Sequence, residues 1–353
     1  MGGVFETIGQ ILGSKELINN REIYDLLIAI DRGYSISKFQ KHRLSSVTSI
    51  VWQDITKLPY SMRLLTSLTN LDVSWSRVID IRVLSNLTSL TNLDLSFTSI
   101  SDISALSNLT SLANLDLRYT SVSDISALSN LTSLTNLDLS CTPVSDISAL
   151  SNLTSLMGLE FSEAPVKDIS VLSNLTSLTN LDLRWTQVSD ISPLSGLKNL
   201  KTLDLGGIEI NDLGVLSRLF TLRRLNIQNS TTTSIPESLF DLNLNFVDEE
   251  NKIFNSDDAG IYINGLTLTD QPIEIFSQNR ELIRAYYREG DQVPVNECKV
   301  IFLGDAESGK THSIKRLLNN GEFLKDFDGG STPGVERRIL SGAGDTVFED
   351  IAV

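Results

Sequence analysis

One leucine recurs every 22 residues along the middle of the chain. Leu71, Leu93, Leu115, Leu137, Leu159, Leu181, Leu203 and Leu225 stand in the same local context, with no insertion between them. A unit this short cannot bury an apolar core by itself, so copies must stack until each covers its neighbour. The copy around Leu93 reads Leu90-Thr-Asn-Leu93-Asp-Leu95-Ser-Phe-Thr98-Ser-Ile100, followed by Asp102-Ile103, Leu106 and Leu109. Spacing of this kind predicts a short strand that turns Leu90, Leu93 and Leu95 inward, while Ile100, Ile103, Leu106 and Leu109 fill the rest of the coil. Stacking then pairs the strands into a parallel sheet along the concave side of an α/β solenoid, with a helical or irregular convex side.

These residues fit the leucine-rich repeat pattern. They resemble the 22-residue class found in bacterial internalins and in a phosphatase regulator built of the same units, over about residues 64 to 230. Many such repeats carry Asn after the strand, whereas this chain has Thr98, Thr120, Thr142 and Thr186, with Ser76, Ala164 and Ile208 as departures. The hydroxyls are expected to bond the turn backbone in place of an asparagine ladder.

Each repeat also carries two acidic columns. Asp72, Asp94, Asp116, Asp138, Glu160, Asp182 and Asp204 follow the strand leucine and are expected to face solvent on the concave side. Asp80, Asp102, Asp124, Asp146, Asp168, Asp190 and Asp212 precede an Ile-Ser-Ala-Leu type step. They read as N-caps for a convex helical turn. Beside the first column runs an aromatic one, Trp75, Phe97, Tyr119 and Trp185, interrupted by Cys141 and Glu163 and flanked by Arg118 and Arg184. Aromatics beside arginine are typical of binding surfaces. The candidate partner-binding set is therefore Trp75, Phe97, Arg118, Tyr119, Glu160, Glu163, Arg184 and Trp185 on the concave face.

Composition excludes other classes. Acidic residues outnumber basic ones 44 to 29 and leave a net charge of -15, which opposes binding to nucleic acid. Cys141 and Cys298 are too few for a disulfide framework or zinc cluster. No apolar run reaches a membrane span, and Met1–Thr7 shows no basic leader, so a cytoplasmic protein is expected. Asn86-Leu-Thr88 and its equivalents at 108, 130, 152 and 174, with Asn229-Ser-Thr231, match the glycosylation acceptor pattern. Without a leader they read as repeat consensus.

Residues 1–63 lack the repeat. Glu16 to Arg32 reads as an amphipathic capping helix through Leu17, Ile23, Leu26, Leu27 and Ile30, and Val47 to Leu58 as a degenerate coil one residue out of phase. Residues 231–297 form a C-terminal cap and connector: an acidic loop at Asp248–Asp258, then a helix opened by Pro272 that carries Ile273, Phe276, Leu282, Ile283 and Tyr286 on one side.

Residues 298–353 carry a different chemistry. An apolar run, Val300-Ile-Phe-Leu303, leads into Gly304-Asp305-Ala306-Glu307-Ser308-Gly309-Lys310-Thr311, and Ile314, Leu317 and Leu318 follow at helical spacing. This is the strand, loop and helix order of a phosphate-binding P-loop. Gly304 and Gly309 let backbone N–H groups wrap the phosphates, Lys310 reaches the β- and γ-phosphates, and Thr311 ligates Mg. Downstream, Val335 to Leu340 and Thr346 to Val353 read as an antiparallel hairpin around Gly342-Ala-Gly344. Thr332 ahead of it resembles the switch threonine of Ras-like GTPases, which senses the γ-phosphate through Mg.

Repeats followed by Pro272-Ile-Glu-Ile-Phe276, Glu281-Leu-Ile-Arg-Ala-Tyr-Tyr287 and a Ras-like P-loop resemble the bacterial Roco family over about residues 64 to 353. In that family repeats precede a Roc GTPase domain and a COR dimerisation domain; immune NTPases have the opposite order. The resemblance implies GTP/GDP and Mg as cofactors, a protein partner on the repeats, and dimerisation through COR in the parent. In that family an Asp-x-x-Gly motif follows the hairpin, about where this sequence reaches Val353, and no Asn-Lys-x-Asp occurs after the P-loop. The chain is therefore expected to be the front of a longer protein, with an incomplete P-loop domain and hydrolysis only in that parent. The alternative is a protein-binding repeat adaptor whose nucleotide segment does not function.

Overall fold

The computed structural model describes residues 20–35, 38–210, 212–242, 244–247, 259–268 and 276, together with the backbone of 338–339 and 347–348. The chain divides into two compact units, Met1–Ile283 and Arg284–Val353. Within the second, strands β12 (Arg338–Ile339) and β13 (Val347–Phe348) pair antiparallel, as a hairpin around Gly342–Gly344 requires. The P-loop Gly304–Thr311 and Thr332 lie outside the described residues.

Among the described residues the first unit is a solenoid with one sheet of eleven strands. Strands β2 (Asn70–Asp72), β3 (Asn92–Asp94), β4 (Asn114–Asp116), β5 (Asn136–Asp138), β6 (Gly158–Glu160), β7 (Asn180–Asp182), β8 (Thr202–Asp204) and β9 (Arg224–Asn226) pair parallel, each one repeat on from the last. The recurrent leucine of each is buried at 2% exposure or less.

Leucine spacing also sets the convex side. Leu84, Leu87 and Leu90 stand three apart, and Leu84 N–H bonds Ile81 O, Leu87 N–H bonds Leu84 O and Leu90 N–H bonds Leu87 O, at 2.9 to 3.0 Å. A period of three matches the three residues per turn of a 3₁₀ helix, which eclipses i and i+3 and so keeps every leucine inward. The convex segments are accordingly 3₁₀ turns such as Ser104–Leu106 and Ser126–Leu128.

The convex aspartates cap these turns. Ser104 N–H donates to Asp102 at 2.8 Å, Ser126 N–H to Asp124 at 2.8 Å and Ser148 N–H to Asp146 at 2.9 Å. The residue in formal N-cap position is the following isoleucine, and the aspartate reaches over it in an Asx turn. The threonines behave as their chemistry demands. Thr98, Thr120, Thr142 and Thr186 are buried, and each hydroxyl donates at 2.6 Å to the carbonyl three residues back. In the sixth strand's coil Ala164 lacks that hydroxyl, and Phe161 in place of leucine fills the volume, both being buried.

Sheet pairing extends beyond the eight repeats at both ends. Strand β1 (Ser49–Val51) pairs with β2, with Ile50 opposite Leu71, a step one residue shorter than the repeat. Helix α1 (Asn20–Asp31) covers this coil with Ile23, Leu26, Leu27 and Ala29 buried. Asp31 accepts from Tyr60 and Ser61 N–H at 2.7 and 2.8 Å, and Trp52 Nε1 donates to Asn20 O at 2.6 Å. A short helix α2 (Lys38–Ser45) leads into β1.

The other end breaks sequence order. Strand β10 (Phe246–Val247) carries the residue one repeat after Leu225, yet β11 (Gly260–Tyr262) pairs with β9 and β10 sits outside it. Ile261, Tyr262 and Ile263 are fully buried, whereas Phe246 and Val247 are half-buried, so the more apolar strand takes the inner place. A Cβ on Gly260 would lie 2.7 Å from the Val247 side chain, so glycine permits the approach. Phe276 is buried with its ring 4.8 Å from Phe246, while the rest of the expected connector helix lies outside the described residues.

Replacing Thr120 with Val keeps the shape but removes the buried donor to Leu117 O. A loss of about 1 kcal/mol is expected in urea unfolding followed by circular dichroism; no loss would show that the hydroxyl contributes nothing.

Candidate functional site

The concave face is built by alternation along each strand. Residues before and after the buried leucine point outward, so one column of asparagines and one of carboxylates cross the sheet. They line a shallow groove of about 340 Å³ that runs from Val51 to Glu160.

The asparagine column is a ladder that the sequence pattern did not reveal. Asn92 Nδ2 donates to Asn70 Oδ1 at 2.5 Å, Asn114 to Asn92 at 2.5 Å and Asn136 to Asn114 at 2.6 Å. Each amide serves as donor to one neighbour and acceptor from the next. At Gly158 the ladder ends, since a Cβ there would lie 2.6 Å from Asn136 Oδ1.

The carboxylate column is less open than expected. Asp72, Asp94, Asp116, Asp138 and Asp182 are half-buried and Asp204 is buried; Glu160 alone of the seven is exposed. The aspartates turn back to the chain: Asp116 accepts from Arg118 N–H at 3.0 Å, Asp138 from Ser140 N–H at 2.8 Å and Asp182 from Arg184 N–H at 2.9 Å. They act as caps where the strand ends, which is why they cannot stand out in solvent.

Burial in register with like charge shifts their protonation. The pKa values of Asp116 and Asp182 are each pushed up to about 6, by burial first and then by neighbouring carboxylates: Asp138 and Asp94 for the former, Asp204 for the latter. Burial also raises Asp204, and Glu160, although exposed as a residue, is raised by partial desolvation of its carboxyl group and then by Asp138 and Asp182. The convex column shifts the opposite way. Hydrogen bonding to the Arg82 side chain brings Asp80 down to about 2, and the bond from Ser104 N–H lowers Asp102.

The two flanking arginines are engaged with this column. Arg118 Nε lies 3.0 Å from Asp116 and its Nη1 3.9 Å from Asp138, while Arg184 Nε lies 2.9 Å from Asp182. The Arg184 contact is close but off the hydrogen-bond line.

The aromatic column occupies one special backbone position. Trp75, Phe97, Tyr119, Cys141, Glu163 and Trp185 all have φ between 54° and 61°, and Gly207 (70°), Asn229 (54°), Asp54 (59°) and Gly265 (74°) continue the series. This is the left-handed region that bulky L-residues avoid. Cross-coil bonds hold it: Trp75 N–H donates to Ser96 O at 3.1 Å, Phe97 to Arg118 O at 3.0 Å and Tyr119 to Ser140 O at 3.0 Å. The chain thus leaves the sheet by one sharp turn per coil, and that turn projects the ring. Trp75 and Phe97 stack at 3.9 Å, and Phe97 and Tyr119 at 4.5 Å. The Cys141 side chain beside Tyr119 raises its hydroxyl pKa. Trp185 lies flat over Gly207, where any Cβ would strike its ring. Despite these contacts Trp75, Tyr119 and Trp185 remain 62%, 51% and 55% exposed.

Of the predicted partner-binding set, Trp75, Phe97, Tyr119, Glu163 and Trp185 therefore share one column, and Arg118, Arg184 and Glu160 lie beside it. Among the described residues no group of three or more His, Cys, Asp or Glu is arranged to hold a metal, and no helix is long and apolar enough to cross a membrane.

Comparison with known proteins agrees with this architecture. A family model for two copies of leucine-rich repeats matches residues 110–152. The solved structure of an internalin, InlF, from Listeria monocytogenes is 31% identical, covering 69% of this chain and 81% of that one with a TM-score of 0.54. The chain belongs to the leucine-rich repeat proteins and has internalin-like structural neighbours. A leucine-rich repeat protein of Leptospira interrogans, 21% identical, shares the fold over 68% of this chain and 60% of its own, with a TM-score of 0.58. The ectodomain of the Arabidopsis receptor kinase HAESA, solved with a peptide hormone bound, shares it at 24% identity over 65% and 40%, with a TM-score of 0.52. No curated protein matches the chain significantly.

Opposite pH responses follow from the two acidic columns. A folded pKa of about 6 against roughly 3.9 unfolded means that Asp182 favours the folded state fully below pH ~4, and that this contribution is lost as pH rises to about 6. Asp80, held near 2, contributes above pH ~4 and loses that as pH falls. Asn226 already fills the Asp182 position two strands on, accepting from Gln228 N–H at 2.8 Å. Asp182→Asn is therefore expected to stabilise the protein at pH ~7 by on the order of 1 kcal/mol and to leave it unchanged near pH ~4. Thermal melts across that range check it, and an equal effect at both ends would refute the burial argument.

Proposed function

We propose that this chain is a protein-binding scaffold that takes its partner along the concave sheet, anchored on the aromatic column. The observation that carries this is the left-handed backbone beneath exposed rings. Gly207, Gly265 and Asn229 show that the fold accepts residues that adopt this conformation without strain. Tryptophan, phenylalanine and tyrosine there cost roughly 1–2 kcal/mol each. Stability alone would select glycine or asparagine, so the rings are retained for what they present. Rigid aromatic anchors rimmed by polar groups are what interface centres use. The HAESA neighbour, solved with its peptide, is a binding solenoid of this fold.

The test separates folding from binding. Trp75→Asn combined with Trp185→Asn should leave the melting temperature within a few degrees, because relief of strain offsets lost stacking. Partner capture by the intact protein should fall at least about tenfold. An identical set of proteins captured by wild type and variant, at equal strength, would sink the proposal.

A second reading rests on the segment Gly304–Thr311, whose residues and spacing suit a phosphate cradle between an apolar run and a helical one. In it the nucleotide segment belongs to a Roc-like GTPase domain that binds GTP or GDP with Mg at Lys310, Thr311 and Thr332, and couples nucleotide state to partner engagement. Fluorescent GDP titration of the full-length protein tests it. Lys310→Ala should lower affinity more than about tenfold while the repeat circular dichroism stays unchanged; unchanged affinity would leave the scaffold reading alone.

A further inference from the structure

Charge on the solenoid is distributed unevenly along its length. Between Ser192 and Leu203 and between Leu213 and Pro236 there is no acidic residue, while Lys198, Lys201, Arg218, Arg223 and Arg224 all fall there, in a chain of net charge -15. The structure sets Lys201 and Arg223 at the edge where the chain enters strands β8 and β9, with Lys198 in the turn before β8 and Arg218 at the end of the 3₁₀ turn before β9. Lys201 and Arg223 immediately precede those strands and occupy equivalent positions in adjacent coils, with Arg223 N–H bonded to Lys201 O at 2.8 Å. Adjacent strands lie about 4.8 Å apart, so these like charges face one another at close range.

The earlier coils put uncharged residues at the same sites, Thr135, Met157 and Thr179 for one column and Thr154 and Thr176 for the other. Lys198, Lys201, Arg218 and Arg223 are exposed, and none forms an ion pair among the described residues. Phe220 stands in their midst, 74% exposed, the most exposed of the large apolar side chains described. Thr221 holds the turn that carries it, its hydroxyl lying 2.6 Å from Lys198 O and 2.8 Å from Leu200 O.

We infer that this edge is a second interaction surface, distinct from the concave aromatic column, which accepts an acidic segment of a partner protein carrying an apolar side chain over Phe220. Charge complementarity selects the sign, since like-charged side chains in adjacent coils repel until an anionic group lies between them. The exposed phenylalanine selects a polypeptide, because a phosphate backbone offers it nothing apolar. Extent decides in the same direction. At physiological salt a short segment senses only charges within about 8 Å, whereas a long polyanion or an anionic bilayer also meets the negative remainder of the solenoid.

The experiment measures fluorescence anisotropy of a short labelled peptide rich in glutamate with interspersed leucines, titrated with the full chain at about 0.15 M salt. Lys201→Glu with Arg223→Glu should weaken binding at least about tenfold, and Lys201→Gln with Arg223→Gln by a smaller factor. Phe220→Ala should weaken it with no change in salt dependence, and Trp75→Asn with Trp185→Asn should leave it intact, which keeps this surface separate from the concave one. All these side chains are exposed, so circular dichroism should stay that of the wild type. Unaltered affinity in the charge-reversed chain would overturn the inference. So would tighter binding to duplex DNA or to phosphatidylserine vesicles than to the peptide, which would make the edge a nucleic-acid or lipid surface.

Discussion

A register of one repeat between neighbouring strands places each side chain directly on its own copy, and the rest of the structure follows from that. Leucine on leucine is favourable at every step, and with about 22 residues per coil no other source of core exists. The same superposition acts on whatever else the repeat carries. Asparagine tolerates it because an amide is both donor and acceptor, so Asn70 to Asn136 form a chain of side-chain bonds. Aspartate does not, because two acceptors of like charge have nothing to exchange.

How the protein handles the aspartates distinguishes its two sides. On the convex face the column is solvated and each carboxylate receives a turn N–H, which favours the charged form. On the concave face the same Asx bond is made under burial, and burial dominates. Arg118, Arg184 and Asn226 then work as local relief: a cation or a neutral amide inserted where a full column of carboxylates would repel. The arginines that stand beside the aromatic column thus have a structural task within the sheet, whatever they present to a partner.

The aromatic column is the point at which the fold's own needs and a binding role part. A left-handed residue after each strand is required by the coil, and its N–H is bonded across to the next coil whatever its side chain. The rings are not required. Their stacking on one another and, at Trp185, on a glycine of the next coil fixes them as a flat strip along the strand-exit edge of the concave sheet. Cations gather instead at the strand-entry edge of the eighth and ninth strands, so the same solenoid offers an apolar strip and a basic corner on different edges.

Local pattern alone determined the period, the inward leucines, the role of Thr98, Thr120, Thr142 and Thr186, and the capping by convex aspartates, because each of these is settled within one coil. The aromatic column was legible as a column for the same reason. Its left-handed backbone, the asparagine ladder, the half-burial of the concave aspartates and the insertion of the eleventh strand between the ninth and tenth were decided only by tertiary structure. Each depends on how close the adjacent coil lies and which of two strands buries more apolar surface there, and neither quantity exists until the coils are stacked.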